Sequence, residues 1–148
     1  MSDLGTIGKY ELKAQIGRGS SGTVYLATDS FSREDVALKV LDKRLLQDPE
    51  RRRTVQTQFL NEASLVGKLS HPHIVSILDA SVGDNYGYIA MEYVPGGNLV
   101  TRAQPGALLP IEHAIEIGFK CCGALDYAHR QGIIHRDIKP ANIMLIND

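Results

Sequence analysis

The segment from His135 to Asn142 reads H-R-D-I-K-P-A-N and concentrates ionisable and amide side chains in one short stretch. Apolar pairs flank it, Ile133-Ile134 before it and Ile143-Met144 after it. This pattern predicts a polar loop between two short buried strands. A solvated turn is the alternative. A carboxylate, an ammonium and an amide so close together favour a chemical role for the loop.

The polar side chains of this loop suit the transfer of a charged group to a hydroxyl. Asp137 can accept a proton or orient a hydroxyl, because a carboxylate accepts hydrogen bonds. Lys139 can offset negative charge on a transferring phosphoryl group. Asn142 offers a carbonyl oxygen to a hard cation such as Mg²⁺. The string also fits the catalytic-loop pattern H-R-D-L-x-x-x-N with one conservative change, isoleucine for leucine.

A glycine-rich hairpin is predicted near the N-terminus. Tyr10–Ile16 alternates like a half-buried strand, and Thr23–Ala27 is rich in β-branched and aromatic residues. Between them, Gly17–Gly22 reads G-R-G-S-S-G and fits G-x-G-x-x-G. A dinucleotide-binding turn requires a helix directly after the third glycine, whereas here a strand follows. The motif therefore indicates a hairpin tip whose backbone N–H groups can approach phosphate oxygens, with an ordinary turn as the alternative.

A lysine and a glutamate are predicted to form an ion pair. Lys39 lies inside the apolar strand Val36–Leu41. Asp48-Pro49-Glu50 combines an N-cap residue, a proline at the first helical position and an acid in the first turn, so a helix is predicted from there to about Leu69. Glu62 fills the missing step of the apolar stripe formed by Val55, Phe59, Val66 and Leu69. A buried charge needs a partner, and Lys39 is the candidate, with a purely structural ion pair as the alternative.

The remaining elements divide the chain into a strand-rich half and a helical half. Two further strands are predicted at Ile74–Leu78 and Tyr88–Val94. Pro95-Gly96-Gly97 then breaks the chain and predicts a hinge at the domain boundary. A second long helix is predicted from Ile111 to Gln131, with Gly132 as its C-terminal stop.

The composition is that of an ordinary globular domain. The chain has 148 residues, of which 43% are hydrophobic and 22% charged, which excludes disorder, collagen and coiled coil. A formal net charge of -1 gives no overall field to attract nucleic acid or anionic lipid. The cysteines Cys121 and Cys122 are adjacent, so a disulfide framework is implausible. Without a signal sequence or a membrane-length apolar run, we expect a cytoplasmic protein with no membrane segment and no nucleic-acid partner.

Taken together, these motifs resemble the catalytic domain of eukaryotic-type serine/threonine protein kinases, from Tyr10 to the last residue. The resemblance implies an α+β fold with a complete small lobe, a five-stranded antiparallel sheet plus helix C, and the first part of the helical large lobe. The implied limits are residues 1–9 for an N-terminal tail and 10–148 for the kinase domain. Within that domain, 10–94 form the small lobe, 95–98 the hinge exit and 99–148 the partial large lobe.

The resemblance also assigns residues to the site. The catalytic residues are Asp137, Lys139 and Asn142, and Asn142 is also the metal ligand. Lys139, two residues after Asp137, is similar to the serine/threonine branch of the family. The residues expected to bind ATP are Ile16, Gly17, Gly19, Gly22, Val24, Ala37, Lys39, Glu62, Met91, Glu92, Val94, Asn98 and Met144.

The resemblance also implies which part of ATP each of these residues contacts. Lys39, held by Glu62, positions the α and β phosphates. The adenine is sandwiched by Ile16, Val24, Ala37 and Met144. The backbone of Glu92 and Val94 bonds the adenine edge behind Met91, and Asn98 lies where the ribose is held.

The implied function is phosphoryl transfer from ATP, with Mg²⁺, to protein serine or threonine, in signalling. One feature departs from the family, because no D-F-G motif follows Asn142 before the sequence ends at Asp148. We therefore expect a truncated catalytic domain that is inactive alone, with the apolar face of its second long helix partly exposed. A nucleotide-binding or interaction module without catalysis is the main alternative, and a small-molecule phosphotransferase of similar fold is the third.

Overall fold

The computed structural model describes residues 4–146, which separate into two compact units. The described part of the first unit comprises residues 4–68 and 76–93, and that of the second comprises 69–75 and 94–146. Loop 69–75 belongs to the second unit because the Ser70 N–H donates to the Tyr127 hydroxyl at 3.1 Å, and the His71 and Tyr127 ring centroids lie 5.3 Å apart. The limits 10–94, 95–98 and 99–148 stay a prediction.

The first unit is built on an antiparallel sheet with the strand order β1-β2-β3-β4-β6-β5. The strands are β1 Thr6–Ile7, β2 Tyr10–Arg18, β3 Gly22–Asp29, β4 Asp35–Leu41, β5 Ile77–Val82 and β6 Gly87–Glu92. The sheet therefore has six strands in the described residues, one more than predicted. The additional strand is β1, which pairs with Tyr10 and Glu11 although its residues were predicted as a tail. A strand of two residues is too short to show alternation in the sequence.

The predicted strand Ile74–Leu78 is wrong in its position. The chain turns at Ile74, whose N–H donates to the His71 carbonyl at 3.1 Å, and β5 begins only at Ile77. The register is set by β6, with Val82 opposite Gly87 and Ile77 opposite Met91. The error arose because β5 contains the polar residues Asp79 and Ser81, which lowered its apolar signal.

Alternation along the strands builds a buried cluster on each face of the sheet. One cluster consists of Tyr10, Ala27, Val36, Leu38, Tyr88 and Ala90. The other joins sheet residues to helical residues and consists of Leu41, Leu46, Phe59, Ala63 and Ile89. Because Leu38 and Lys39 are neighbours on β4, Leu38 enters the first cluster and Lys39 lies on the face that carries the helices.

Two helices follow β4. Helix α1, Lys43–Gln47, was not predicted, and its N-cap residue Asp42 accepts from the Arg44 N–H. Helix α2, Pro49–Val66, begins as predicted, because the Asp48 carboxylate accepts from the Glu50 N–H at 3.0 Å. It ends at Val66 rather than Leu69, since Gly67 forms its C-cap.

The face that α2 buries differs from the prediction. Phe59 and Ala63 are buried, and Val55 packs beside them. The Glu62 side chain is 61% exposed, so its predicted place on the buried face is wrong. Ala63 occupies the step of the stripe that was assigned to Glu62, and the sequence interpretation had not counted this alanine as part of the apolar face.

The second unit contains one long helix, α3, Ile111–Arg130, followed by Gly132 with a φ of 79°. This agrees with the predicted helix and its stop. The apolar face predicted to be partly exposed comprises Ile111, Ile115, Cys122 and Leu125. Of these, Ile111 and Ile115 are exposed by 70% and 66%, Cys122 is exposed, and Leu125 is half-buried. The two buried strands predicted around the polar loop are wrong, because Ile134 is exposed and Met144 forms only an isolated bridge with Asn98.

A hydrogen-bonded clasp joins β2 to the far edge of the sheet. The hydroxyls of Tyr10 and Tyr88 both donate to Asp79 Oδ2 at 3.2 Å, and the two rings meet edge to face at 5.4 Å. Burial and the Asp79 charge raise the pKa of Tyr10 to about 12 and also raise the pKa of Tyr88. Both hydroxyls are therefore protonated at neutral pH in the folded protein, as their hydrogen bonds to Asp79 require.

We predict that the clasp makes folding sensitive to alkaline pH. A pKa raised by folding stabilises the native state below the unfolded value of about 10, and that stabilisation is lost as pH rises toward 12. Tyr10→Phe should lower the free energy of unfolding at pH 8 by about 1 kcal/mol. It should also reduce the loss of stability between pH 8 and pH 11, as measured by urea unfolding.

Tyr25→Phe is the matched control, because Tyr25 is half-buried and takes part in no described side-chain hydrogen bond. It should leave the alkaline loss unchanged. An alkaline loss that is the same in Tyr10→Phe as in the unsubstituted protein would contradict the prediction.

Candidate active site

The glycine-rich hairpin joins β2 and β3, with Gly17 opposite Val24. The Gly19 N–H donates to the Gly22 carbonyl at 2.8 Å and closes the turn. A Cβ atom at Gly22 would overlap the Val40 carbonyl, whereas at Gly17 and Gly19 the nearest atoms would be 3.6 Å and 4.0 Å away. Gly22 is therefore required for packing against β4, and the first two glycines have room for an approaching ligand.

Lys39 lies on the same face of the sheet as three other predicted ATP-binding residues. It is opposite Val24 on β3, while Ala37 lies two residues away and opposite Met91 on β6. Antiparallel partners and residues two apart on one strand share a face. The structure therefore brings Val24, Ala37, Lys39 and Met91 together on the face that α2 covers.

The predicted ion pair between Lys39 and Glu62 is present, at an N–O distance of 3.8 Å. The distance is near the limit of a direct contact. Because Glu62 is mostly exposed, such a pair contributes between zero and about 1 kcal/mol to stability. The pairing was thus predicted correctly, although the argument from a buried glutamate was wrong.

Further predicted residues lie at the ends of these strands. Ile16 lies at an irregularity in the β2–β3 register and is exposed. Glu92 ends β6, where its N–H donates to the Ser76 carbonyl at 2.9 Å, and Val94, two residues later, begins the longer segment of the second unit. The sequence interpretation did not predict this contact between Glu92 and Ser76, because Ser76 was placed inside the predicted strand Ile74–Leu78.

In the second unit the structure brings Asn98 and Met144 together. Their backbones form an antiparallel bridge, which is extended by the Leu99 N–H donating to the Ile143 carbonyl at 3.0 Å. The Asn98 side-chain oxygen accepts from the Val100 N–H at 3.0 Å and so caps a short 3₁₀ turn. Asn98 is therefore held by its neighbours on both its backbone and its side chain.

The polar loop gathers the three predicted catalytic residues. Lys139 Nζ lies 3.1 Å from Asp137 Oδ2. The Asn142 amide donates to the Asp137 backbone carbonyl at 2.8 Å and to Asp137 Oδ2 at 3.2 Å. Asp137 is thus the centre of the cluster, and all three side chains are exposed.

His135 is a positioning residue of this loop that the sequence interpretation did not single out. Its Nδ1 accepts from the Asp137 N–H at 3.1 Å, which fixes the backbone of the carboxylate residue. Arg136, between them, has a φ of 65°, a left-handed conformation that few residues other than glycine adopt. The H-R-D template contained the signal for His135, but only the tight turn shows how the imidazole acts.

The charge environment keeps Asp137 ionised. The hydrogen bond from Lys139 lowers the pKa of the Asp137 carboxyl, and Asn142 adds a smaller effect in the same direction. An ionised carboxylate at neutral pH can accept a hydrogen bond from a hydroxyl. The loop therefore presents an acceptor beside a cation.

The Asn142 amide has one oxygen that could bind the Mg²⁺ ion implied by the resemblance. The Asn142 amide nitrogen is engaged by Asp137, and its carbonyl oxygen has no partner in the described part of the chain. An amide oxygen is a ligand that Mg²⁺ accepts. No group of three or more His, Cys, Asp or Glu side chains within residues 4–146 could hold a metal ion. Asn142 thus fits as one ligand of a site that keeps waters or substrate oxygens.

Comparison with known proteins identifies the family. The family model described as the protein kinase domain matches residues 10–148. The chain belongs to the protein kinase family. The predicted fold class is confirmed, with the additional strand β1 in the small-lobe sheet. Among the described residues, no helix is long and apolar enough to cross a membrane.

Bacterial relatives carry the same family name. The chain is 41% identical over 144 residues to a probable serine/threonine-protein kinase of Streptomyces coelicolor, covering 93% of this chain and 20% of that protein. It is 40% identical over 141 residues to the serine/threonine-protein kinase PknB of Mycobacterium leprae, covering 93% and 22%. It also matches the crystal structure of the PknI kinase domain of Mycobacterium tuberculosis, with a TM-score of 0.75 and 34% identity, covering 99% of this chain and 58% of that one. The chain therefore spans about a fifth of the length of the two named relatives.

We predict that the glycines of the hairpin have separable roles. Gly22→Ala should lower the free energy of unfolding by about 1–3 kcal/mol, because the new methyl group overlaps the Val40 carbonyl. Gly19→Ala should change stability by less than about 1 kcal/mol, because its Cβ has space. Urea unfolding of both variants tests this, and equal losses would contradict the assignment.

We also predict that Lys139 controls the titration of Asp137. In Lys139→Met the pKa of Asp137 should rise, because the main cause of its lowering is removed. In the unsubstituted protein the Asp137 carboxylate stays charged to a lower pH than an ordinary aspartate does. In the variant it should become protonated at a higher pH than in the unsubstituted protein. Carbon-detected NMR titration of the Asp137 carboxyl measures both midpoints. Lys120→Met, on α3, is the control and should leave the Asp137 midpoint in place.

Proposed function

We propose that the protein transfers the γ-phosphoryl group of ATP to serine or threonine hydroxyls of proteins. The observation that carries this proposal is the environment of Asp137, whose carboxylate is held by Lys139 and Asn142 while its backbone is fixed by His135. Two contacts on one exposed carboxylate, together with two on the backbone of the same residue, favour a residue arranged to meet a substrate. Membership of the protein kinase family and relatives named as serine/threonine kinases support the same reaction.

In the proposed reaction Asp137 accepts a hydrogen bond from the acceptor hydroxyl. As the hydroxyl oxygen bonds to the γ-phosphorus, the bond to the bridging oxygen breaks and ADP leaves with the electron pair. The hydroxyl proton passes to Asp137 and from there to solvent, and the lowered pKa of Asp137 favours this release to solvent. Lys139 offsets the charge that spreads over the transferring oxygens.

ATP is proposed to contact residues of both units. In the first, Lys39 donates to the α and β phosphates, and Gly17 and Gly19 offer backbone N–H groups. Gly22 supports the hairpin by packing. The proposed adenine and ribose contacts are Ile16, Val24, Ala37, Met91, Glu92, Val94, Asn98 and Met144. Glu62 acts by orienting Lys39.

Mg²⁺ is the proposed metal, and Asn142 is the residue of this loop proposed to hold it. When bound, the ion supplies positive charge to the phosphate oxygens. A cytoplasmic location and a role in signalling are also proposed, because the reaction consumes ATP and the two cysteines of the chain are free.

Two variants test the proposal in the full-length protein. Asp137→Ala should lower phosphoryl transfer by about 10²-fold or more with nearly unchanged ATP affinity, because Asp137 meets the acceptor hydroxyl. Lys39→Met should lower both the transfer rate and ATP affinity, because it removes a phosphate contact. The measurements are transfer of labelled γ-phosphate to a generic protein acceptor and the dissociation constant for ATP.

Matched controls are Asp84→Ala and Lys43→Met, which replace exposed residues without described side-chain contacts. Both should behave like the unsubstituted protein. ATP binding with no transfer in any form would favour a nucleotide-binding module without catalysis. Preferential transfer to small-molecule acceptors would favour a phosphotransferase of that class, and equal effects of Asp137→Ala and Lys39→Met on affinity would contradict the assigned roles.

A further inference from the structure

Helix α2 is joined to the β5–β6 turn by one side-chain hydrogen bond. The Gln56 amide Nε2 donates to the Gly83 carbonyl at 2.8 Å, across 27 positions of sequence. Gln56 is half-buried at this contact. A hydrogen bond is directional, so this contact restricts the rotation of α2 about its axis more than apolar packing alone.

The acceptor carbonyl is held in place by the turn that contains it. The Gly83 N–H donates to the Tyr86 carbonyl at 2.8 Å, and a Cβ at position 83 would overlap the Tyr86 ring. The Tyr86 ring in turn stacks on Tyr88, with the centroids 6.3 Å apart and the planes 19° apart. A larger residue at position 83 would therefore have to displace the Tyr86 ring, which packs against the turn that presents the Gly83 carbonyl to Gln56.

The same helix carries Glu62, which forms the long ion pair with Lys39. Gln56 and Glu62 belong to the continuous helix α2, about 9 Å apart along its axis. Phe59 and Ala63 pack on the sheet nearby. Because the Lys39–Glu62 distance is already 3.8 Å and Glu62 is mostly exposed, a small rotation of α2 separates the pair. The pair therefore depends on how the helix is held elsewhere.

We propose that Gln56 is a positioning residue for phosphoryl transfer, which fixes the rotation of α2 through Gly83 and thereby keeps Glu62 beside Lys39. The consequence for ATP rests on the proposed function, in which Lys39 contacts the phosphates. The consequence for the Lys39–Glu62 pair does not depend on it, so the two can be tested separately.

The first measurement follows the ion pair without nucleotide. Acylation of Lys39 by a water-soluble amine-reactive ester is measured by mass spectrometry at a fixed pH, because an amine held beside a carboxylate is less available to the reagent than one that has been released. Gln56→Met removes the donor and keeps a linear side chain of similar length that favours helix. It should raise the acylation rate of Lys39 about threefold, the size expected for loss of an exposed ion pair.

The matched control is Gln58→Met, on the same helix, where the exposed amide has no described partner. It should leave the rate unchanged. Glu62→Ala should raise the rate as much as Gln56→Met does, and the double variant should show no additional increase. Additive effects, or a rate in Gln56→Met equal to that of the unsubstituted protein, would overturn the proposal.

Two variants with opposite charges at position 56 test the same proposal if Gln56→Met does not fold. Gln56→Lys retains a donor that can reach the Gly83 carbonyl, and Gln56→Glu replaces it with an acceptor. Lys39 acylation should stay near that of the unsubstituted protein in Gln56→Lys and rise in Gln56→Glu. Equal rates in the two variants would overturn the proposal.

The second measurement is the affinity of the full-length protein for MgATP. Gln56→Met should weaken it about threefold when Glu62 is present and have no effect in the Glu62→Ala background. A loss of affinity that persists without Glu62 would contradict positioning through the pair. Absence of MgATP binding in the unsubstituted protein would contradict the proposed function, while the acylation result would still decide the role of Gln56.

Discussion

The register of β4 between β3 and β6 decides which side chains lie beside Lys39 in the proposed nucleotide site. Lys39 is opposite Val24 on one side and Ile89 on the other, and Leu38 enters the buried cluster of the opposite face. A slip of one residue would exchange these faces, moving the Lys39 ammonium into the first cluster and Leu38 out of it. Leu38 is fully buried, so the loss of its packing would cost about 2–5 kcal/mol. The apolar core therefore fixes the position of the lysine.

The two parts of the candidate site depend on different ranges of sequence. The arrangement around Lys39 needs three strands and a helix, which come from distant parts of the chain. The loop around Asp137 is built from neighbours, since His135, Lys139 and Asn142 lie within five residues of it. The loop therefore forms its contacts with little help from packing, which agrees with the exposure of its side chains.

This difference explains how much could be predicted from the sequence. The contacts of the Asp137 loop follow from a short motif, and the helix start at Asp48 follows from local capping chemistry. The position of β5, the strand β1 and the exposed side of Glu62 depend on pairing and packing across the sheet. Local patterns do not contain that information.

The sequence also gives no indication of the proposed role of Gln56, for a related reason. A glutamine on a helix has no pattern that distinguishes a solvated amide from a hydrogen-bonded one, as the neighbouring Gln58 illustrates. The close packing of the Tyr86 ring against Gly83 likewise follows from the folded turn and not from a local pattern. Long-range contacts to single backbone carbonyls depend on the turn geometry.

Both lysines of the candidate site are paired with exposed carboxylates, which has a consequence for binding. Lys39 lies 3.8 Å from Glu62 and Lys139 lies 3.1 Å from Asp137, with both carboxylates more than half exposed. Solvent screens such pairs, so separating them costs little. A phosphate group carries more negative charge than a carboxylate and accepts more hydrogen bonds. In the proposed function each lysine turns from its carboxylate to a phosphate at little cost to stability, and the carboxylate keeps it near that position before the phosphate arrives.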